Sequence, residues 1–272
     1  MNKKVVIKII KYILVYGLLL VGPLALMAIL QGVIEKQDGR AVSSDDFMDS
    51  PYFMPAVALG TLLNIIVFLW RRWAVLDLGR IRRADLWMVV VMALGVFLGW
   101  FLPEIFLQGL VEVPDNMTDK EFEQLTGGVL GFIDTAVLAP VGEELLCRGA
   151  ILGVLLKAMP RRPWVGIIVS AIIFGLYHMN PVQTVFGFLY GLPLGWLAWR
   201  TGSLLPGIVV HVANNTTAIL MPAEVDKAIG GMSLTTQSLL VLVSLVVLVV
   251  ALRWFAQRYE TNMSDSQLHI TE

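Results

Sequence analysis

Residues 12–34 read YILVYGLLLVGPLALMAILQGVI, an apolar run without one charged side chain. About 20 such residues form a helix long enough to cross the hydrocarbon core of a bilayer. The run follows four lysines, as a signal peptide core follows its charged start. Because the run is longer than a usual signal core and no clear small-x-small cleavage site precedes its polar end, we expect a retained first transmembrane helix.

The same pattern recurs along the chain and predicts an all-α integral membrane protein, a bundle of about eight transmembrane helices. Hydrophobic residues make up 57% of the chain and charged residues only 15%, whereas soluble domains are about 45–50% apolar and about 25% charged. A soluble protein of this size could not bury so much apolar surface. The predicted spans are residues 12–34, 53–70, 86–110, 127–157, 164–178, 182–199, 203–222 and 237–256.

The charges outside these spans alternate in sign from one connection to the next. Basic residues gather at the N-terminus, in 71–83 and 157–162, at Arg200 and in 253–258, while acidic residues favour 35–50 and 111–123. The positive-inside rule then predicts that both termini are cytoplasmic, which agrees with an even number of spans. Compact loops and short tails suggest a multi-pass protein of a bacterial plasma (inner) membrane.

Composition also argues against several classes of function. The net charge is −1, and no basic patch with interleaved aromatic residues predicts nucleic-acid binding. The single cysteine, Cys147, excludes an intrachain disulfide framework and a metal site built from cysteines.

The fourth span is interrupted by polar residues, although a charge within a span costs about 2.5–3.5 kcal/mol on insertion scales. Pro140 lies inside it, so we expect a kink or break there. Residues 142–148 then read GEELLCR. On a helix Glu144 and Arg148 share a face and can pair, while Glu143 points about 100° away. In a poorly solvated cavity Glu143 would be a good general base, and Asp134 could line that cavity or the outer end of the helix.

Two of the three histidines also lie in apolar spans. His178 follows Phe174 by four residues in the fifth span, and His211 precedes Asn215 by four in the seventh, so each pair shares a helical face. Taken singly, these residues could be a structural ion pair or interhelical hydrogen bonds. Taken together they favour one polar constellation, since we expect the remaining spans to carry no buried charge.

The pattern Glu-Glu-x-x-x-Arg, Phe-x-x-x-His and His-x-x-x-Asn resembles the CAAX-processing and bacteriocin-processing proteases, also called the CPBP or Abi family. The resemblance covers roughly residues 125–222 and rests on Glu143, Glu144, Arg148, Phe174, His178, His211 and Asn215. It divides the chain into N-terminal transmembrane helices (1–124), a protease-like core (125–222), and a last helix with a polar tail (223–272).

The resemblance implies a membrane-embedded endopeptidase. Glu143 with His178 would activate a water, His211 with Asn215 would face the oxyanion, and the Glu144–Arg148 pair would support Glu143. Glu143, His178 and His211 could also supply three zinc ligands. Because no His-Glu-x-x-His pair exists, we favour a glutamate mechanism that requires no cofactor, with zinc as the alternative.

The expected partners are the lipid bilayer and a peptide or membrane-protein substrate, and the sequence does not indicate an oligomeric state. A non-proteolytic scaffold or regulator, or a self-immunity protein that retains the motifs, is the main alternative. A transporter or proton relay is disfavoured because no inverted repeat or pair of broken helices is evident.

Overall fold

The computed structural model describes residues 2–37, 47–76, 86–110, 118–221 and 223–258. All regular structure in these residues is helical, which confirms the all-α prediction. The helices are α1 (Lys3–Gln37), α2 (Phe53–Trp70), α3 (Leu86–Leu110), α4 (Asp119–Thr126), α5 (Gly128–Ala158), α6 (Pro163–Tyr177), α7 (Pro181–Thr201), α8 (Leu205–Leu220), α9 (Ala223–Gly230) and α10 (Leu234–Arg258).

The predicted number of about eight spans is not confirmed by helix length and composition. In the described part of the chain, four helices are long and apolar enough to cross a membrane, namely α1, α2, α3 and α10. The pair α4 and α5, bent by 86°, makes a fifth if it counts as one span. Helices α6 and α8 are apolar but shorter than a span. The structure therefore supports a membrane-type bundle with four to five candidate spans.

The outer surface of the bundle is apolar. On α1, Leu14 and Leu18 are 65% and 72% exposed, and on α10 Val243 and Val250 are 60% and 59% exposed. Apolar patches of this extent are rare on monomeric soluble proteins. They match a surface that contacts lipid.

The centre of the bundle is α5. Its residues Leu145–Leu152 are buried, and α1, α2, α6, α7 and α8 all pack around it. The buried aromatic residues Tyr12, Tyr16 and Phe68 extend this core into the N-terminal helices. The helix that carries the first motif is therefore shielded from lipid on most sides.

Pro140 does not break the helix, although the sequence predicts a kink or a break there. Helix α5 continues from Gly128 to Ala158, with π-helical turns at Asp134–Leu138 and Leu145–Leu152 on either side of the short α-helical stretch that contains Pro140. Proline lacks an N–H, and its ring collides with the carbonyl four residues earlier. The wider turn before Pro140 accommodates both the missing hydrogen bond and the ring. The sharp bend lies between Thr126 and Gly128 instead.

Contacts at the helix ends show which connections share a side of the bundle. The Lys120 ammonium lies 2.7 Å from an Asp49 carboxylate oxygen, which joins two acidic connections. At the opposite end of α2, the Lys11 ammonium lies 4.8 Å from the centre of the Trp73 ring. These contacts fit the alternation in the charge pattern, while the orientation relative to the cytoplasm stays a prediction.

Helices α6 and α7 approach each other closely through glycines. A Cβ on Gly175 would lie 2.3 Å from the Thr184 carbonyl oxygen, and one on Gly187 would lie 3.3 Å from the Gly175 Cα. Small residues permit such close backbone contact between membrane helices. The approach determines where Phe174 and His178 lie relative to α7.

We predict that Gly175→Ala lowers the melting temperature in detergent. The added methyl meets backbone that cannot move aside, and overpacking costs about 1–3 kcal/mol. Gly17→Ala is the matched control, because a Cβ there has no atom within 4 Å and alanine favours a helix. Equal melting temperatures for the two variants would show that the α6–α7 contact is not tight.

Candidate active site

A buried ion pair lies at the middle of α5. One Arg148 guanidinium nitrogen donates to Glu144 Oε1 at 2.7 Å, and both side chains are fully buried. The other terminal nitrogen donates to the Gly191 carbonyl at 3.2 Å. The guanidinium also lies 4.3 Å from the centre of the Phe174 ring, a favourable cation–π geometry. The pair expected from the i, i+4 spacing is therefore present, and it joins α5 to α6 and α7.

His211 bridges the two adjacent glutamates, which the sequence did not indicate. Its Nδ1 lies 3.1 Å from Glu144 Oε1 and its Nε2 lies 3.5 Å from Glu143 Oε2. The imidazole therefore contacts both carboxylates, one through each ring nitrogen, and places a polar group against them inside the core. Glu143 does point away from the Glu144–Arg148 pair, but it meets His211 rather than remaining free.

The tautomer of His178 follows from its hydrogen bond. Its Nδ1 lies 2.8 Å from the Phe174 carbonyl oxygen. Because a carbonyl only accepts, Nδ1 carries the proton and the lone pair of a neutral ring lies on Nε2. The ring also stands edge-on to Phe174 and Tyr177, with centroids 5.0 and 5.1 Å away. These contacts fix the direction of the basic Nε2 of His178.

Asn215 is positioned by the irregular part of α5. Its Nδ2 donates to the Thr135 carbonyl at 3.0 Å, and Thr135 lies in the first π-helical turn. The amide has two hydrogens, so one remains for another acceptor. The π-helical turn thus supplies the carbonyl that orients this amide.

A cavity of about 170 Å³ lies beside these groups. It is lined by Trp100, Glu104, Phe174, His178, Gln183, Phe186, Gly187, Tyr190, His211, Asn214, Asn215 and Ala218. Three of the four proposed catalytic side chains therefore meet at one cavity. Glu143 is 7% exposed and contacts the cavity residue His211 without being among the lining residues.

Glu104 is a cavity residue that sequence reasoning missed. It lies within the third predicted span, which we expected to carry no buried charge, and the structure places it half-buried at the cavity. The available signal was a carboxylate directly after Pro103 inside an apolar run, since a charged side chain in a span points to function. Asp134 is 3% exposed and is not among the cavity residues.

The N-terminal helix α1 reaches the neighbourhood of the first motif. The hydroxyl of Tyr16 on α1 would lie 3.2 Å from a Cβ placed on Gly142, and it hydrogen-bonds with Tyr177 on α6. Motif spacing could not indicate this contact, because Tyr16 is far away in sequence.

Comparisons with known proteins agree with the family resemblance of the motifs. Residues 125–217 match the family model described as Type II CAAX prenyl endopeptidase Rce1-like. An uncharacterized 24.3 kDa protein of Escherichia coli is 30% identical over 172 residues, which are 59% of this chain and 77% of that protein. No solved structure matches the chain.

The chain belongs to the CPBP family.

In this CPBP-family chain, the matched region contains every motif residue named from the sequence. The family description is that of a membrane endopeptidase, a hydrolase of peptide bonds. Its motif residues lie on α5, α6 and α8, and these three helices contribute to the cluster and the cavity.

The zinc alternative requires Glu143, His178 and His211 to converge on one point. The described residues contain no group of three His, Cys, Asp or Glu side chains placed to hold a metal ion. His211 directs both ring nitrogens at glutamates, whereas His178 donates through Nδ1 to a carbonyl and keeps Nε2 free, as a metal-binding histidine does. The three proposed ligands therefore do not form a zinc site in this arrangement, because His211 is directed elsewhere.

We predict that Arg148→Gln destabilises the bundle strongly. Removing one partner of a buried pair leaves a carboxylate uncompensated, which costs about 3–5 kcal/mol. The matched control is Lys120→Gln, whose ion pair with Asp49 is 65% and 52% exposed and should matter little. Thermal unfolding in detergent measures both, and an Arg148→Gln protein as stable as the control would refute the structural role of the pair.

Proposed function

We propose that this chain is an intramembrane endopeptidase that hydrolyses a peptide or membrane-protein substrate by a glutamate-dependent mechanism. The observation that carries the proposal is the meeting of His178, His211 and Asn215 at one cavity, with Glu143 next to His211. A base, hydrogen-bond donors and a poorly solvated hollow are the parts that water attack on an amide needs.

In the first step Glu143 accepts a proton from a water that adds to the scissile carbonyl carbon. His178 accepts a hydrogen bond from that water through its free Nε2, so the water is oriented by two groups. The distance of 3.5 Å between Glu143 and His211 is longer than an ordinary N–H···O bond of about 2.7–3.2 Å. The contact between Glu143 and His211 is thus weaker than a hydrogen bond of ordinary length, and Glu143 can turn toward water.

The negative charge that develops on the carbonyl oxygen faces His211 and Asn215. A protonated His211 and the second amide hydrogen of Asn215 would both donate to it, and donors held in place in a dry site stabilise an oxyanion strongly. The tetrahedral intermediate then breaks its C–N bond. The proton held by Glu143 passes to the leaving amine, which returns the carboxylate to its starting state.

The Glu144–Arg148 pair has a positioning role in this proposal. Glu144 accepts from both Arg148 and His211 through Oε1, so it supports the ring that faces the oxyanion. Arg148 in turn attaches this cluster to the Gly191 carbonyl on α7. Neither side chain needs to touch the substrate.

We also propose the membrane arrangement expected from the charge pattern, with eight membrane-associated helices, both termini cytoplasmic and a bacterial inner-membrane location. The shorter helices α6 and α8 count as membrane-embedded in this arrangement because α6 packs against the longer α5, and α8 packs against the longer α3 and α5.

We predict that Glu143→Gln abolishes proteolysis while the fold persists. Glutamine keeps the shape but cannot accept the proton, and general-base catalysis contributes about 10²–10⁴-fold. The measurement is the appearance of new peptide ends, identified by mass spectrometry, when the protein in liposomes is mixed with membrane-inserted peptides. Its melting temperature should match that of the wild type.

Glu123→Gln is the matched control, since Glu123 is exposed on α4, and it should cleave at the wild-type rate. Cleavage by Glu143→Gln at the rate of this control would contradict the glutamate mechanism. A wild-type protein that generates no new ends would contradict proteolysis itself.

A second prediction concerns metal. Purified active protein should contain no stoichiometric zinc, and chelator treatment should leave cleavage unchanged. Elemental analysis before and after chelation measures both. The glutamate mechanism fails if zinc is stoichiometric and leaves together with activity.

One observation favours the non-proteolytic scaffold or self-immunity reading as a second candidate. Glu143 is only 7% exposed and is not among the residues that line the cavity, as expected of a side chain that serves packing. In that case Glu143→Gln changes stability but no peptide is cut by any variant.

A further inference from the structure

Glu104 is an ionisable residue in the cavity that the proposed reaction does not use. It lies on α3, directly after Pro103, whereas the motif residues lie on α5, α6 and α8. Helix α3 packs against α8, which brings Glu104 into the same cavity wall as Asn215. A carboxyl group in a membrane helix that faces a cavity is a functional candidate with a partner to be identified.

The immediate surroundings of Glu104 are aromatic. Trp100, one helical turn earlier, hydrogen-bonds to its carboxyl group, and the Trp100 ring lies 5.5 Å from that of Tyr190. Tyr190 in turn stands edge-on to His211 at 5.8 Å. A row of aromatic rings therefore connects Glu104 with the proposed oxyanion-binding histidine.

The described residues that line this cavity include no lysine or arginine. Arg148, the nearest guanidinium in the cluster, is committed to Glu144, Gly191 and the Phe174 ring. The carboxyl of Glu104 therefore lacks a permanent cation in the described cavity wall. A cationic group of an incoming ligand can pair with this carboxyl instead.

The chemistry around Glu104 suits an organic cation. A carboxylate binds ammonium or guanidinium by charge-assisted hydrogen bonds, and the faces of Trp and Tyr attract the same groups. The volume of about 170 Å³ is below the roughly 300–1,000 Å³ of pockets for drug-sized ligands. It therefore suits one side chain of a longer peptide rather than a whole small molecule.

We propose that Glu104 is a specificity determinant that binds an ammonium or guanidinium group of the substrate peptide, close to the bond that is cut. This proposal rests on the proposed function and adds a substrate class, namely peptides with a basic residue near the scissile bond.

The test uses peptides with one background of alanine and leucine and a single varied residue, either lysine or its uncharged analogue norleucine. Wild type should cleave the lysine peptide with a kcat/KM roughly 10–100-fold higher, since a hydrogen bond to a charged group contributes that factor. Glu104→Gln should remove this preference, so that the variant cleaves the lysine and norleucine peptides with the same kcat/KM. Glu123→Gln should keep the preference.

Other outcomes overturn the inference. If Glu104→Gln lowers kcat equally for both peptides, Glu104 acts on the reaction itself. If Glu104→Gln lowers the melting temperature and the variant still cleaves the lysine peptide faster than the norleucine peptide, the role of Glu104 is the hydrogen bond with Trp100.

A binding measurement separates this inference from the proposed function. Fluorescein-labelled forms of both peptides are titrated with Glu143→Gln protein, and with protein that also carries Glu104→Gln, and anisotropy is recorded. Tighter binding of the lysine peptide that depends on Glu104 supports the inference even if no variant cleaves. Equal binding of both peptides, or no binding of either, overturns it even if wild type is a protease.

Discussion

The ion pair between Glu144 and Arg148 is the contact on which the site depends. Both side chains are fully buried, so neither charge is stabilised by water, and each requires the other. Through these two residues α5 is joined to α7 by the Gly191 carbonyl and to α8 by His211. The pair therefore organises three helices at once, and the polar cluster exists because the charges must be compensated inside an apolar core.

The backbone of α5 is adapted to this role. π-helical turns flank the stretch that contains Pro140, and π-helical turns occur frequently at functional sites. The first of them directs the Thr135 carbonyl to Asn215. The second contains Arg148. The sequence predicts a kink or break at Pro140. The structure has a widened helix there instead, and this helix contacts its neighbours.

The cavity is formed by helices that are distant in sequence. Glycines let α6 and α7 approach closely, which brings His178 next to Gly187 on α7, while α3 contributes Trp100 and Glu104 from outside the motif region. The resulting hollow is lined by hydrogen-bond donors, a basic nitrogen and a carboxyl group next to aromatic rings. Different residues of one cavity are therefore available for the reaction and for recognition of the substrate.

The sequence alone determined what depends on neighbours along the chain. The lengths of apolar runs located α2 and α3 at the predicted residues, and the i, i+4 spacing identified the Glu144–Arg148 pair, because both follow from local helix geometry. Only the tertiary structure decided that His211 bridges both glutamates, that Glu104 lines the cavity and that Tyr16 lies near Gly142. Those contacts depend on the packing of helices far apart in sequence, and one sequence carries no periodic signal for such packing.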